Sequence, residues 1–211
     1  MSAVTVITAD VVQSRRAGQQ VAQLSDLLAG LDHPSLLAGF SVSRGDEIQG
    51  VCKGILEAPE LVRRLRFACI PLRLRIGIGV GFLDSGANSN DPWRMNGSAF
   101  VRAREALDSV KKARQPRTAI RSGDSRADTV ASAILHLMDV IENRWTKQQW
   151  KAVHAYERFG TYEAAGEHLG IRLQTVQEHC LLANWPAIEQ AEETLKGLAV
   201  LGLVACQTPL D

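Results

Sequence analysis

The sequence predicts an α+β domain with an antiparallel sheet over residues 1–124, followed by an all-α domain with a helix-turn-helix over residues 125–211. Three observations carry this. Residues 40–53, FSVSRGDEIQGVCK, alternate apolar Val42 and Ile48 with polar Ser41, Ser43, Glu47 and Gln49, the pattern of two strands folded back at Gly45 and Asp46. Residues 72–83, LRLRIGIGVGFL, set Leu72, Leu74, Ile76, Ile78 and Val80 against Arg73, Arg75, Gly77, Gly79 and Gly81, a strand with one apolar face and one bare or basic face. Beyond residue 129 this period-two pattern gives way to helical spacing punctuated by threonines and glycines.

The elements follow in order. Residues 4–12, VTVITADVV, form a valine-rich run that reads as a buried strand, with Asp10 near its end. A polar turn of Gln13, Ser14, Arg15 and Arg16 leads to a helix over residues 18–31, with Val21, Leu24, Leu27, Leu28 and Leu31 inward. Its free N–H groups, with Ser14, Arg15 and Arg16, offer a phosphate site, or the arginines simply solvate the helix entrance. After the hairpin, Pro59 opens a helix that buries Leu61, Leu65 and Ala68 and leaves Arg63, Arg64 and Arg66 on a solvated face. The glycines of the next strand let it twist, or let another backbone or a ligand lie against it. Residues 84–96 read as a polar flap, residues 98–113 as a helix burying Phe100, Ala103, Leu107 and Val110, and residues 117–122 as a last strand. This order is the ferredoxin-like βαββαβ pattern extended by a helix and a strand, with the helices expected on one side of the sheet.

In that arrangement the first strand is central and neighbours the hairpin, so Asp10 and Asp46 meet at one edge. A carboxylate at the end of a buried strand is costly unless it is paired or binds metal. Two readings stand: each aspartate pairs with one of the many arginines, or together they hold Mg2+ or Mn2+, which take hard oxygen ligands and nucleotide phosphates. Gly45, with Glu47 beyond it, permits close approach of a phosphate.

Composition bounds the alternatives. With 45% hydrophobic and 22% charged residues in 211, the chain reads as an ordinary folded protein. No apolar run approaches the roughly 18 residues of a membrane span, and MSAVTVITAD lacks the pattern of a secretory leader, so a cytoplasmic protein without a membrane partner is expected. Cys52, Cys69, Cys180 and Cys206 are too dispersed for a zinc site or disulfide framework.

The segments ITADVVQSR, SRGDEIQG, LRIGIGVG and NGSAFVRAREAL together resemble the SatD family, whose first domain is similar to the palm of class III nucleotidyl cyclases and GGDEF proteins. The resemblance implies that Asp10 and Asp46 are metal aspartates, with the Val11 carbonyl as a further ligand, and that a nucleotide is bound there. Cyclases place an asparagine and an arginine where this chain has Val101 and Glu105, and Arg44 stands where GGDEF proteins carry their first glycine. Arg102 or Arg104 is the available substitute. These departures favour binding over turnover and leave catalytic residues unassigned.

In the second domain, residues 122–128 read as a polar linker and residues 130–141 as a helix. Thr146 caps a helix that Gly160 stops, Thr161 caps the next, and Gly170 turns into LQTVQEHCLLANW. Ala164, Ala165, Leu169, Ile171, Leu173 and Val176 are assigned to the core of the helix-turn-helix. A DNA-reading face over residues 145–186 would present Lys147, Lys151, Arg172, Gln174, Thr175, Gln177 and His179. Charge opposes this: residues 1–128 carry a balance of +5 and residues 129–211 a balance of −4, whereas DNA affinity rests on cations. A protein partner is the other occupant of that face. A last helix over residues 187–206 offers Ile188, Ala191, Leu195, Leu198 and Leu201 for homo-oligomer packing. The sequence supports a regulator whose palm senses a metal–nucleotide, with a metal-dependent nucleotidyl cyclase as the alternative.

Overall fold

The computed structural model describes residues 3–14, 18–43, 45–112 and 117–200. Its elements are β1 (Ala3–Val11), α1 (Gly18–Ala22), α2 (Leu24–Ala29), β2 (Leu36–Val42), β3 (Glu47–Lys53), α3 (Glu60–Ala68), β4 (Leu74–Phe82), α4 (Ser98–Val110), β5 (Thr118–Arg121), α5 (Ser125–Glu142), α6 (Lys147–Phe159), α7 (Tyr162–Leu169), α8 (Leu173–Leu182) and α9 (Trp185–Val200). The sheet order is β2-β3-β1-β4-β5, antiparallel except for the β4–β5 pair. The chain is therefore α+β, with the first strand central.

Helices cover both faces, not one. Val4 and Val6 of β1 pack with Val51, Ala99 and Ala103 under α4. The opposite residues Ile7, Ala9 and Val11 join Ile48, Ile76, Ile78, Leu61 and Leu65 in a larger core that continues through Leu135, Val153, Val176, Ile188 and Leu195. Sheet and C-terminal helices thus share one apolar interior. The glycine stripe explains the second layer: Gly77, Gly79 and Gly81 take the backbone of α4 directly against β4.

The N-terminal helical stretch divides at Gln23, and Leu27 is 41% exposed while Leu24 and Leu28 are buried. Of the polar residues 122–128, the last four open α5 rather than forming a linker. Asp124 caps that helix. Asp128, Ser132 and Asp139 then accept from the N–H groups of Ser122, Ile120 and Thr118 at 2.7, 3.3 and 2.6 Å. Three side chains spaced along α5 so satisfy the free edge of β5, which no sixth strand pairs among the described residues.

The caps of the helical part lie where the residues place them. Thr146 and Gln149 form a reciprocal capping box on α6, and Gly160 ends that helix at φ 76°. Thr161 caps α7, and Gly170 ends it at φ 67°. Replacing Thr146 by Ala leaves the Gln149 N–H without its side-chain acceptor and is expected to cost about 1 kcal/mol in urea unfolding.

Two expectations about the surface are corrected. Ile171 is 38% and Leu173 40% exposed, whereas Val176 is fully buried; the tight turn after Gly170 directs only Val176 inward. The apolar residues of α9 are used within the chain, since Ile188 and Leu195 are buried in its own core. Leu201 lies outside the described residues.

The largest correction concerns α3. Arg63 is 2% exposed and ion-pairs with Glu157 of α6 and Glu192 of α9, each at 2.8 Å. Arg64 joins Glu157 at 3.0 Å, and Arg66 pairs with Asp139 and Glu142 of α5. The arginine trio is the ionic interface to the helical part. Beside it Phe67 stacks on His154, and the Trp145 indole donates to the Ala183 carbonyl at 2.7 Å.

Candidate functional site

Register builds the site. Asp10 lies opposite Glu47 on β3 and opposite Arg75 on β4. Directly opposed residues share a face, so these three side chains gather on the α4 side, at the end of the sheet where β1 finishes. Asp46 is half-buried in the turn just before Glu47, and Gly45 there has a φ of 118° that suits glycine. From α4, Arg104 reaches Glu47 through both guanidinium nitrogens, the Nη2–Oε2 bond being 2.7 Å.

Electrostatics then distinguish the two aspartate oxygens. Arg75 Nη1 donates to Asp10 Oδ2 at 3.5 Å, a long contact. Asp10 Oδ1 is buried and has no hydrogen-bond partner among the described residues. Burial raises the Asp10 carboxyl above its usual range, against the pull of Arg75 and Lys111, and the nearby Asp46 adds to the rise. Such an oxygen suits a cation.

The donor set fits a hard divalent ion in part. Asp10, Asp46 and Glu47 are oxygen donors of the right chemistry, but among the described residues no group of three or more His, Cys, Asp or Glu is arranged to hold a metal ion. Phosphate oxygens and waters would have to complete the shell, the mode in which Mg2+ ordinarily binds through one or two carboxylates.

The remaining sequence-assigned residues fall as follows. Val11 closes β1, and Ser14 is half-buried in the turn beyond it. Arg15 and Arg16 lie outside the described residues. Arg102 turns away from Asp10: its Nη1 donates to the Val80 carbonyl at 2.8 Å, towards the far end of β4. Two helix positions differ by about 200°, so Arg102 and Arg104 cannot reach the same site, and it is Arg104 that stands beside Glu47. On the helical part, Lys147 and Lys151 are exposed on α6, Arg172 is the N-cap of α8, Gln174 and Gln177 are exposed, and Thr175 and His179 are half-buried. Lys147 lines a cleft with Arg66, Arg73 and Trp150.

The ionic interface also reinterprets the acidic tail. Four of the ten carboxylates beyond residue 128, Asp139, Glu142, Glu157 and Glu192, are paired to α3. Among the described residues that leaves Glu163, Glu167, Glu178, Glu189 and Glu193 against Arg144, Lys147, Lys151, Arg158, Arg172 and Lys196, the last of which also pairs with Glu60 of α3 at 3.5 Å. Its outer surface is thus near neutral rather than acidic.

The fold and this sheet end define an α+β protein with a carboxylate cluster flanked by arginines. The model of the SatD family matches residues 4–175, and the chain belongs to the SatD family. No curated protein matches it. Among solved structures it is similar to the regulator of polyketide synthase expression from Bifidobacterium adolescentis, at 12% identity over 95% of this chain and 81% of that one. The TM-score is 0.24, a likeness too slight to carry an argument about fold or function. Among the described residues no helix is long and apolar enough to cross a membrane.

Proposed function

We propose that this SatD-family protein is a regulator in which a palm-like, ferredoxin-like sheet, residues 1–124, binds a divalent cation together with a nucleotide or similar phosphate ligand. The helical unit, residues 125–211, relays that state through a helix-turn-helix of α7 and α8 to DNA or a protein partner. The buried, unpartnered Oδ1 of Asp10 carries the reading. The antiparallel order β2-β3-β1-β4 supports the palm assignment, and the near-neutral outer surface of the tail removes the charge objection to Lys147, Lys151 and Arg172 as phosphate contacts.

Asp10 and Asp46 would hold Mg2+ or Mn2+, with the Val11 carbonyl beside them, and Glu47, held by Arg104, would orient the turn at Gly45. Such an ion neutralises phosphate charge and polarises the phosphoryl oxygens. Arg75 would offset part of the burial cost of an ionised Asp10, and Arg104 lies where it can be drawn from Glu47 to the ligand.

Titration of the four nucleoside triphosphates in the presence of Mn2+ tests this. The native chain is expected to bind at least one, and Asp10→Asn or Asp46→Asn to weaken binding by at least about tenfold with the fold retained. Equal binding by native and variants would sink the site. A cyclic or linear product formed by the native chain alone would convert the reading to that of a nucleotidyl cyclase.

A further inference from the structure

A second cleft, of about 550 Å3, opens where the starts of β4 and β5 meet the C-terminal half of α5. It shares no lining residue with the Asp10 cluster. Arg73, Arg117 and Arg144 line it from three separate places in the chain, together with His136. None of the three arginines forms an ion pair with a described residue. Elsewhere in this chain arginines near carboxylates are paired, as Arg63, Arg64, Arg66 and Arg104 are.

Asp139 is the carboxylate among the lining residues, and it is already engaged. Its Oδ2 accepts from the Thr118 N–H at 2.6 Å, and its Oδ1 accepts from Arg66 and from the Thr118 hydroxyl. It therefore cannot neutralise the cleft. The Nδ1 of His136 is buried without a hydrogen-bond partner among the described residues, which leaves a polar atom at the cleft unsatisfied.

A neighbouring cleft of about 290 Å3 shares Arg73 and Asn143 with the first and is walled by Ile70, Pro71, Trp145 and Trp150. One end of the combined groove is cationic, and the other adds an apolar and aromatic wall beside Lys147 and the Arg66–Glu142 ion pair. Guanidinium forks match phosphate oxygens two at a time, and a flat apolar wall suits a planar ring. We propose that this groove is a second, metal-independent site for a phosphate-bearing ligand of the nucleotide class, with its phosphates on Arg73, Arg117 and Arg144 and its base against Pro71 and Trp150. Because Arg73 and Arg117 immediately precede β4 and β5, while His136 lies on α5 and Arg144 just beyond its end, the ligand bridges the sheet and the helical part. It is thereby placed to report occupancy to α5.

Calorimetric titration in EDTA tests the site apart from the Asp10 reading, which needs a divalent ion. The probes are tripolyphosphate and ATP, which carry the same number of phosphates. The native chain is expected to bind both, and Arg117→Gln combined with Arg144→Gln to weaken both by about tenfold or more. Both residues are exposed, so folding is not at stake. Asp10→Asn and Arg94→Gln, the latter removing an exposed charge elsewhere, are expected to leave affinity unchanged. Tighter binding of ATP than of tripolyphosphate supports the base at the aromatic end, and equal binding overturns the nucleotide class of the ligand. Absence of binding by the native chain, equal loss in Arg94→Gln, or loss in Asp10→Asn would overturn the proposal.

Discussion

Replacing Arg63 by Met is expected to destabilise the chain by about 3–5 kcal/mol, the cost of stranding buried charge. Arg63 Nε and Nη2 donate to Glu192 at 2.8 and 3.1 Å, and Nη1 and Nη2 donate to Glu157 at 3.0 and 2.8 Å. The guanidinium also lies 4.6 Å from the ring centre of Trp185. A methionine fills the volume and satisfies neither carboxylate. The pH dependence separates this from simple loss of packing. Burial raises the Glu157 carboxyl, but the hydrogen bonds and charges of Arg63 and Arg64 outweigh it and hold the group at about 2. Glu157 therefore contributes stability above its ordinary value of 4.5, lost as pH falls towards 2. At Glu192 burial wins over Arg63 and lifts the group to about 7, so its folded form favours the proton and loses stability as pH rises from 4.5 to 7. Without Arg63 the burial of Glu192 is unopposed by that cation and Glu157 keeps only Arg64, so both take the proton more readily than in the native chain. The gap between native and Arg63→Met in urea unfolding is thus expected to be wider at pH 8 than at pH 5. A gap that is the same at both values, or smaller than about 1 kcal/mol, would show that the pair is not the interface it resembles.

The ionic interface is also where sequence reading fell shortest. In an amphipathic helix an arginine off the apolar stripe reads as solvated, and nothing local distinguishes Arg63 or Arg66 from such a residue. Their carboxylate partners lie 73 to 129 residues away. One global signal was present, the opposite charge of the two segments, and it was read as an obstacle to DNA binding rather than as complementarity between parts of one chain. Local signals fared better. The Val-rich run ending in Asp10, the alternation in residues 72–83 and the threonine and glycine punctuation of α6 and α7 depend on neighbours two to four residues away, and the elements follow them. Apolar character alone misled at Leu173, because hydrophobicity reports a cost of exposure and not the direction a short turn imposes. The choice between Arg102 and Arg104 required the angular position of each on α4, which depends on how the helix lies over β4.

That lie is set by a single residue type, and it supports the second large prediction. Gly79→Ala is expected to cost about 3 kcal/mol or more, at or beyond the upper part of the range for overpacking. A Cβ on Gly79 would stand 2.0 Å from the Ala99 carbonyl oxygen and 2.3 Å from the Ala103 nitrogen. Both are backbone atoms within α4, so no side chain can swing aside and the helix itself must lift. A Cβ on Gly77 or Gly81 would stand 2.3 or 2.4 Å from the same helix backbone, so β4 and α4 are in close contact along the whole stripe and a tilt that relieves one position presses on another. Lifting α4 opens the layer of Val4, Val6, Ala99 and Ala103. It also withdraws Arg104 from Glu47, so phosphate-ligand binding at the Asp10 end is expected to fall even at temperatures where the variant remains folded. Gly39→Ala is the matched control: it lies in β2, and a Cβ there meets nothing within 4 Å. With the entropy of the unfolded chain reduced and no clash added, that variant is expected to be neutral or more stable by up to about 1 kcal/mol. Urea unfolding of the pair decides the matter: a Gly79→Ala chain within about 0.5 kcal/mol of native would mean that α4 is free to shift, and Arg104 would then lose its claim to a fixed place beside Asp10.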